Sequence, residues 1–80
     1  MDFEVLKEMI TKTERAGFKC EYSGQNVVCR KEQKRVTFLH NDFGNDEKIN
    51  MRINKDGYYV NKRNIKEVLK KVRKYAKLEE

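Results

Sequence analysis

The spacing of apolar and polar residues divides the chain into two helical stretches with an alternating run between them. Phe3, Leu6, Met9, Ile10, Thr13 and Ala16 recur at helical intervals. With Asp2 as N-cap and Gly17 as a C-terminal stop, they predict a first helix over residues 3–16. From Phe18 the period falls to two: Phe18, Cys20 and Tyr22 share one side of a first strand, Lys19 and Glu21 the other. Ser23, Gly24, Gln25 and Asn26 form the turn that follows, and Gly24 as its first central residue suits a type II′ hairpin. With Gly24 and Gln25 as the loop, Tyr22 falls opposite Val27 and Cys20 opposite Cys29 on the buried side.

Glu32, Gln33 and Lys34 separate the second strand from a third over residues 35–40, where Val36, Phe38 and His40 alternate with Thr37 and Leu39. Residues 41–47 read as a loop. Ile49, Met51 and Ile53 mark a fourth strand, Asp56 and Gly57 a turn, and Tyr58, Tyr59 and Val60 a short fifth. Helical spacing then returns with Ile65, Val68, Leu69, Val72, Tyr75 and Ala76, predicting a closing helix over residues 61–78 with Asn61 or Asn64 as its cap. The fold class is therefore α+β: helix, a meander of four to five antiparallel strands, helix, with both helices packed on one face of the sheet. The other face is left open, with Lys19, Glu21, Val28, Arg30, Thr37, Leu39, Arg52 and Tyr58 or Tyr59 as the residues it presents.

Charge changes this picture at one element. Residues 61–80 hold eight of the 19 basic residues and three of the 13 acidic ones, so nearly all of the net +6 resides there. On a wheel of about 100° per residue, the six apolar residues of the closing helix lie within about 80° of Ile65. Lys62, Arg63, Lys66, Lys70, Arg73, Lys74 and Lys77 fill an arc from about +60° to +180°. Lys71 alone falls off that arc. An ordinary solvated helix interleaves Glu with Lys at i to i+4, as the first helix does with Glu4, Lys7, Glu8, Lys12, Glu14 and Arg15. The closing helix has almost no acid to interleave, and its seven cations are the candidate nucleic-acid-binding residues.

The remaining inventory narrows the chemistry. Eighty residues, 38% hydrophobic and 40% charged, suit a single small domain over residues 1–80. The apolar runs are too short to cross a membrane, and the chain opens Met1, Asp2, Phe3, Glu4 without a basic signal-peptide start, which predicts a cytoplasmic protein. In that compartment Cys20 and Cys29 are expected as packed thiols, with a redox-active disulfide as the alternative. The chain contains one histidine, His40, and no Cys-x-x-Cys pair, so no metal site, no cofactor and no catalytic residue is expected, and the chain reads as a non-enzyme. Tyr58 and Tyr59 are candidates for stacking on bases, with one of them in the core.

A helix, an antiparallel meander and a second helix opening with Lys62, Arg63, Asn64, Ile65 and Lys66 resembles the double-stranded-RNA-binding domain, whose last helix opens with a Lys-Lys-x-Ala-Lys pattern. The resemblance implies phosphate contacts from that first turn. The family's Gly-Pro-x-His loop has no counterpart in residues 23–26. Ala16-Gly17-Phe18, then Gly24-Gln25-Asn26-Val27-Val28-Cys29-Arg30 and Arg35-Val36-Thr37, is similar to the core of HicA-type toxins, small RNA-cutting relatives of the same fold. Their catalytic histidine falls on Asn26 or Val27, so that resemblance implies an RNA-facing sheet without cleavage. The expected function is non-catalytic binding of double-stranded or structured RNA through the backbone phosphates, with DNA as the alternative polymer. The alternative class is a phage- or mobile-element-type interaction module whose basic surface docks on an acidic host protein. Either form is expected as a monomer, or as a homodimer through the open sheet face or an edge strand.

Overall fold

The computed structural model describes residues 3–24, 26–39 and 49–78. The elements run α1 (Phe3–Arg15), β1 (Lys19–Ser23), β2 (Asn26–Lys31), β3 (Lys34–Leu39), β4 (Ile49–Ile53), β5 (Asp56–Val60) and α2 (Ile65–Ala76). The five strands form one antiparallel sheet in chain order, the meander that the alternation predicts. The N-cap Asp2, the loop over residues 41–47 and the single histidine, His40, lie outside the described residues.

The hairpin register follows from its turns. Gly24 takes φ +60°, and the strands it joins pair Tyr22 with Val27 and Cys20 with Cys29, as the sequence predicts. The two cysteines are joined as a disulfide, whereas the sequence suggested separate thiols. Direct cross-strand opposition on one side of the sheet is what brings them together.

The later turns depart from expectation. Lys34 belongs to β3, because the β2–β3 loop has only two residues, Glu32 and Gln33, with Glu32 at φ 57°. Asp56 and Gly57 are paired strand residues, not the β4–β5 turn. Asn54 and Lys55 make that turn, with Asn54 at φ 59°. Asparagine tolerates this left-handed conformation better than most side chains, because its short amide bonds locally.

Alternating strand residues and the helices share one core. Val27, Cys29, Val36, Phe38, Ile49, Met51 and Val60 are buried together with Val5 and Met9 of α1 and Val68, Leu69 and Val72 of α2. The α1 stripe is rotated from the predicted one: Val5 is buried, while Phe3 is 69% exposed. Met9 and Thr13, four and eight positions beyond Val5, lie in the same buried row.

Gly17 ends α1 as expected, at φ +105°. The Phe18 amide donates to the Thr13 carbonyl at 3.3 Å and the Gly17 amide to Glu14 at 2.9 Å, the paired bonds of a Schellman motif. Phe18 and Thr13, the two residues this motif brings together, are both buried.

Candidate nucleic-acid interface

The closing helix is shorter than its spacing suggests. α2 spans 12 residues, a length of about 18 Å. Lys62 and Arg63 precede it in a turn, and Lys77 sits at its C-cap, still with helical backbone angles. Two asparagines build that entry jointly. The Asn61 carboxamide oxygen accepts from the Arg63 amide at 2.8 Å and the Asn64 amide at 3.1 Å. The Asn64 oxygen in turn accepts from the Asn61 amide at 2.8 Å, and its amide nitrogen donates to the Tyr59 carbonyl at 2.7 Å. These reciprocal bonds have the pattern of a capping box but lie in the turn before α2, whose N-cap residue is Asn64 and makes no side-chain cap bond.

The apolar stripe of α2 fixes which flank meets solvent. Ile65, Val68, Leu69, Val72 and Ala76 are buried. Tyr75 is half-buried; its ring stacks on Phe18 with centroids 6.1 Å apart, and its hydroxyl accepts from the Arg35 amide at 3.0 Å. With that stripe held, Lys62, Arg63, Lys66, Lys70, Arg73, Lys74 and Lys77 are all exposed. Lys71, the cation off the arc, lies on the far flank with its ammonium 5.6 Å from the centre of the Tyr58 ring.

Lys66, Lys70, Arg73, Lys74 and Lys77 have no ion pair among the described residues. Part of this charge has a local role. Arg73 and Lys74 in the last turn offset the negative end of the helix dipole, as Lys12 and Arg15 do in α1. Lys66 and Lys70 have no such role at the end of a helix.

The fold brings in cations that the sequence pattern does not group with these. A groove of about 410 Å³ between the C-terminal turns of the helices is lined by Lys12 and Arg15 from α1 and by Arg73 and Lys77 from α2. On the other side of Ala76 and Lys77, a second groove runs to Lys31 and Lys34 of the β2–β3 hairpin. The basic flank of α2 thus continues at its C-terminal end onto α1, while on the hairpin side Lys34 is buried and Lys31 is bonded to the Ala76 carbonyl. On the wheel, Arg73 and Lys77 sit on the same side of α2 as Lys66 and Lys70, so the flank borders α1.

Such a surface supplies point charges and amine or guanidinium donors along a line. Surfaces of this kind can hold an extended anion by its backbone without reading base edges. Among the described residues no helix is long and apolar enough to cross a membrane. No protein-family model, curated protein or solved structure matches the chain, so its function is read from its own residues.

Proposed function

We propose that the protein is a non-catalytic nucleic-acid-binding domain that lays the basic flank of α2 along the phosphates of double-stranded or structured RNA. The observation that carries this reading is the run Lys66, Lys70, Arg73, Lys74 and Lys77: exposed, on one flank, and without carboxylate partners among the described residues. Lys62 and Arg63 extend the line at the helix entry, and Lys12 and Arg15 widen it at the other end. The resemblance of residues 62–66 to the opening of the last helix in double-stranded-RNA-binding domains favours a duplex over a single strand.

The test is a gel-shift titration at low salt with an RNA duplex, a DNA duplex and a structured RNA. A complex with at least one of them is expected, and Lys66→Glu with Lys70→Glu abolishes it while the far-ultraviolet circular dichroism stays that of the parent. Absence of any complex overturns the reading. An acidic protein surface would satisfy the same cations. Pull-down from lysate with and without nuclease separates the two partners, because a protein partner survives nuclease and a nucleic acid does not.

A further inference from the structure

The sheet has a second surface that the basic helix does not use. Register places the residues facing away from the core in three successive rows. Tyr59 lies across from Asn50, which lies across from Leu39. Gly57 lies across from Arg52, and Arg52 across from Thr37. Arg35 lies across from Arg30, and Arg30 across from Lys19. Rows two residues apart along a strand stand about 6.7 Å from one another, so the row that carries Tyr59, the row that carries Arg52 and a cationic row succeed each other across one face.

Gly57 is the telling position in these rows. It does not have the positive φ that would demand glycine, and a Cβ built there meets nothing within 4 Å. Neither backbone nor packing requires a glycine at 57. Its missing side chain helps open a notch of about 370 Å³ whose rim includes Tyr59, Arg52, Asn50 and Leu39. That is the low end of the range for small-molecule clefts, about 300–1,000 Å³. Tyr59 beside it is 61% exposed, whereas its neighbour Tyr58 turns to the core and to Lys71.

The cationic row adds charge complementarity. Like charges directly opposite on neighbouring strands are unfavourable, yet Lys19, Arg30 and Arg35 stand in one row. Glu21 reaches only Lys19, in an exposed pair of little strength. Arg30, Arg35 and Arg52 are exposed and without a carboxylate partner among the described residues.

We propose that this face is a second site, for single-stranded nucleic acid: one unpaired base stacks on Tyr59 in the notch beside Gly57, Asn50 offers hydrogen bonds to its edge, and Arg52, Arg35 and Arg30 hold the phosphates that follow. Stacking on an aromatic ring is tolerant of sequence, so the site selects unpaired bases over duplex. The site is separate from the flank of α2 and stands whether or not that flank binds a duplex.

The experiment titrates isotope-labelled protein with a ten-nucleotide oligouridylate and, in a second arm, a ten-nucleotide oligothymidylate. It follows the Gly57 amide by NMR and affinity by fluorescence anisotropy. The expected result is a shifted Gly57 amide, with affinity roughly five- to a hundredfold weaker in Tyr59→Ala and similarly weaker in Gly57→Ile. The isoleucine variant fills the notch with a residue suited to a strand and keeps the parent's stability, so its loss of binding is not a loss of fold. In Lys66→Glu with Lys70→Glu the Gly57 amide still moves. An unmoved Gly57 amide with both oligonucleotides, undiminished binding by Gly57→Ile, or loss of the Gly57 response in the helix variant overturns the proposal. A gel-shift complex with duplex RNA that is insensitive to Gly57→Ile reports on the helix flank alone. A response to one arm only identifies which sugar the site takes.

Discussion

The ammonium of Lys31 donates a hydrogen bond of 2.9 Å to the carbonyl of Ala76, 45 residues away. This bond closes the C-terminal end of α2, where carbonyls lack intrahelical partners and the dipole is negative. On its way the stem of Lys31 passes Gly17, and its carbons would stand 3.1–3.3 Å from a Cβ at that position. One side chain of the β2–β3 hairpin therefore touches the ends of both helices, beside the cationic grooves. Replacing Lys31 with Met keeps most of the stem and removes the donor. A loss of about 1–2 kcal/mol is expected for this partly buried, charge-assisted bond, read as a lower denaturant midpoint at unchanged slope.

Gly17→Ala faces two penalties at once, a φ of +105° and the Lys31 stem against the new methyl. The expected destabilisation is about 1–3 kcal/mol. Combining it with Lys31→Ala relieves the crowding but not the backbone, so the double variant should lose less than the sum of the two single ones. Chemical denaturation of the four proteins measures this coupling.

Thr13 is fully buried, and its hydroxyl has no hydrogen-bond partner among the described residues. Valine has nearly the same shape without the polar atom. Thr13→Val is expected to be neutral or to stabilise by about 1 kcal/mol, seen as a higher melting temperature.

Asn61 and Asn64 hold the turn that presents Lys62 and Arg63. Asn61→Ala leaves the Arg63 and Asn64 amides without this partner and is expected to cost about 1–2 kcal/mol. Asn64→Ala removes the reciprocal bond and the one to Tyr59. The two losses should overlap in the double variant, because each asparagine orients the other. Thermal unfolding of the set checks it.

Much of this architecture is legible from spacing. The alternation of Phe18, Cys20 and Tyr22, together with Gly24, sets the first hairpin register without further information. The α2 stripe is legible for the same reason, since its apolar residues repeat without competition. The errors arise where two local signals compete. Asp56-Gly57 is a strong turn signal, but Asn54 also takes a positive φ, and pairing Ile53 with Asp56 prolongs the ladder by two residues. Phe3 fits the α1 stripe by its type, yet it is Val5 that shares the buried row of Met9 and Thr13. The capping asparagines read as alternatives because a sequence does not show that they bond each other. Joining of the opposed cysteines depends on redox surroundings that spacing does not encode. Lys12 and Arg15 were hidden from the cationic surface because they lie about 60 residues from Arg73 and Lys77 in the chain, in a helix whose charges look balanced.

Salt dependence tests the basic flank most directly. Binding of a short RNA duplex is followed by fluorescence anisotropy across a salt series, for the parent and for Lys66→Gln with Lys70→Gln. Each phosphate contact contributes about 0.7–0.9 to the slope of log K against log salt, so removing two cations should weaken binding and flatten the slope by about 1.4–1.8. An unchanged slope, or a parent protein that fails to bind at any salt concentration, contradicts a phosphate-holding role for this helix.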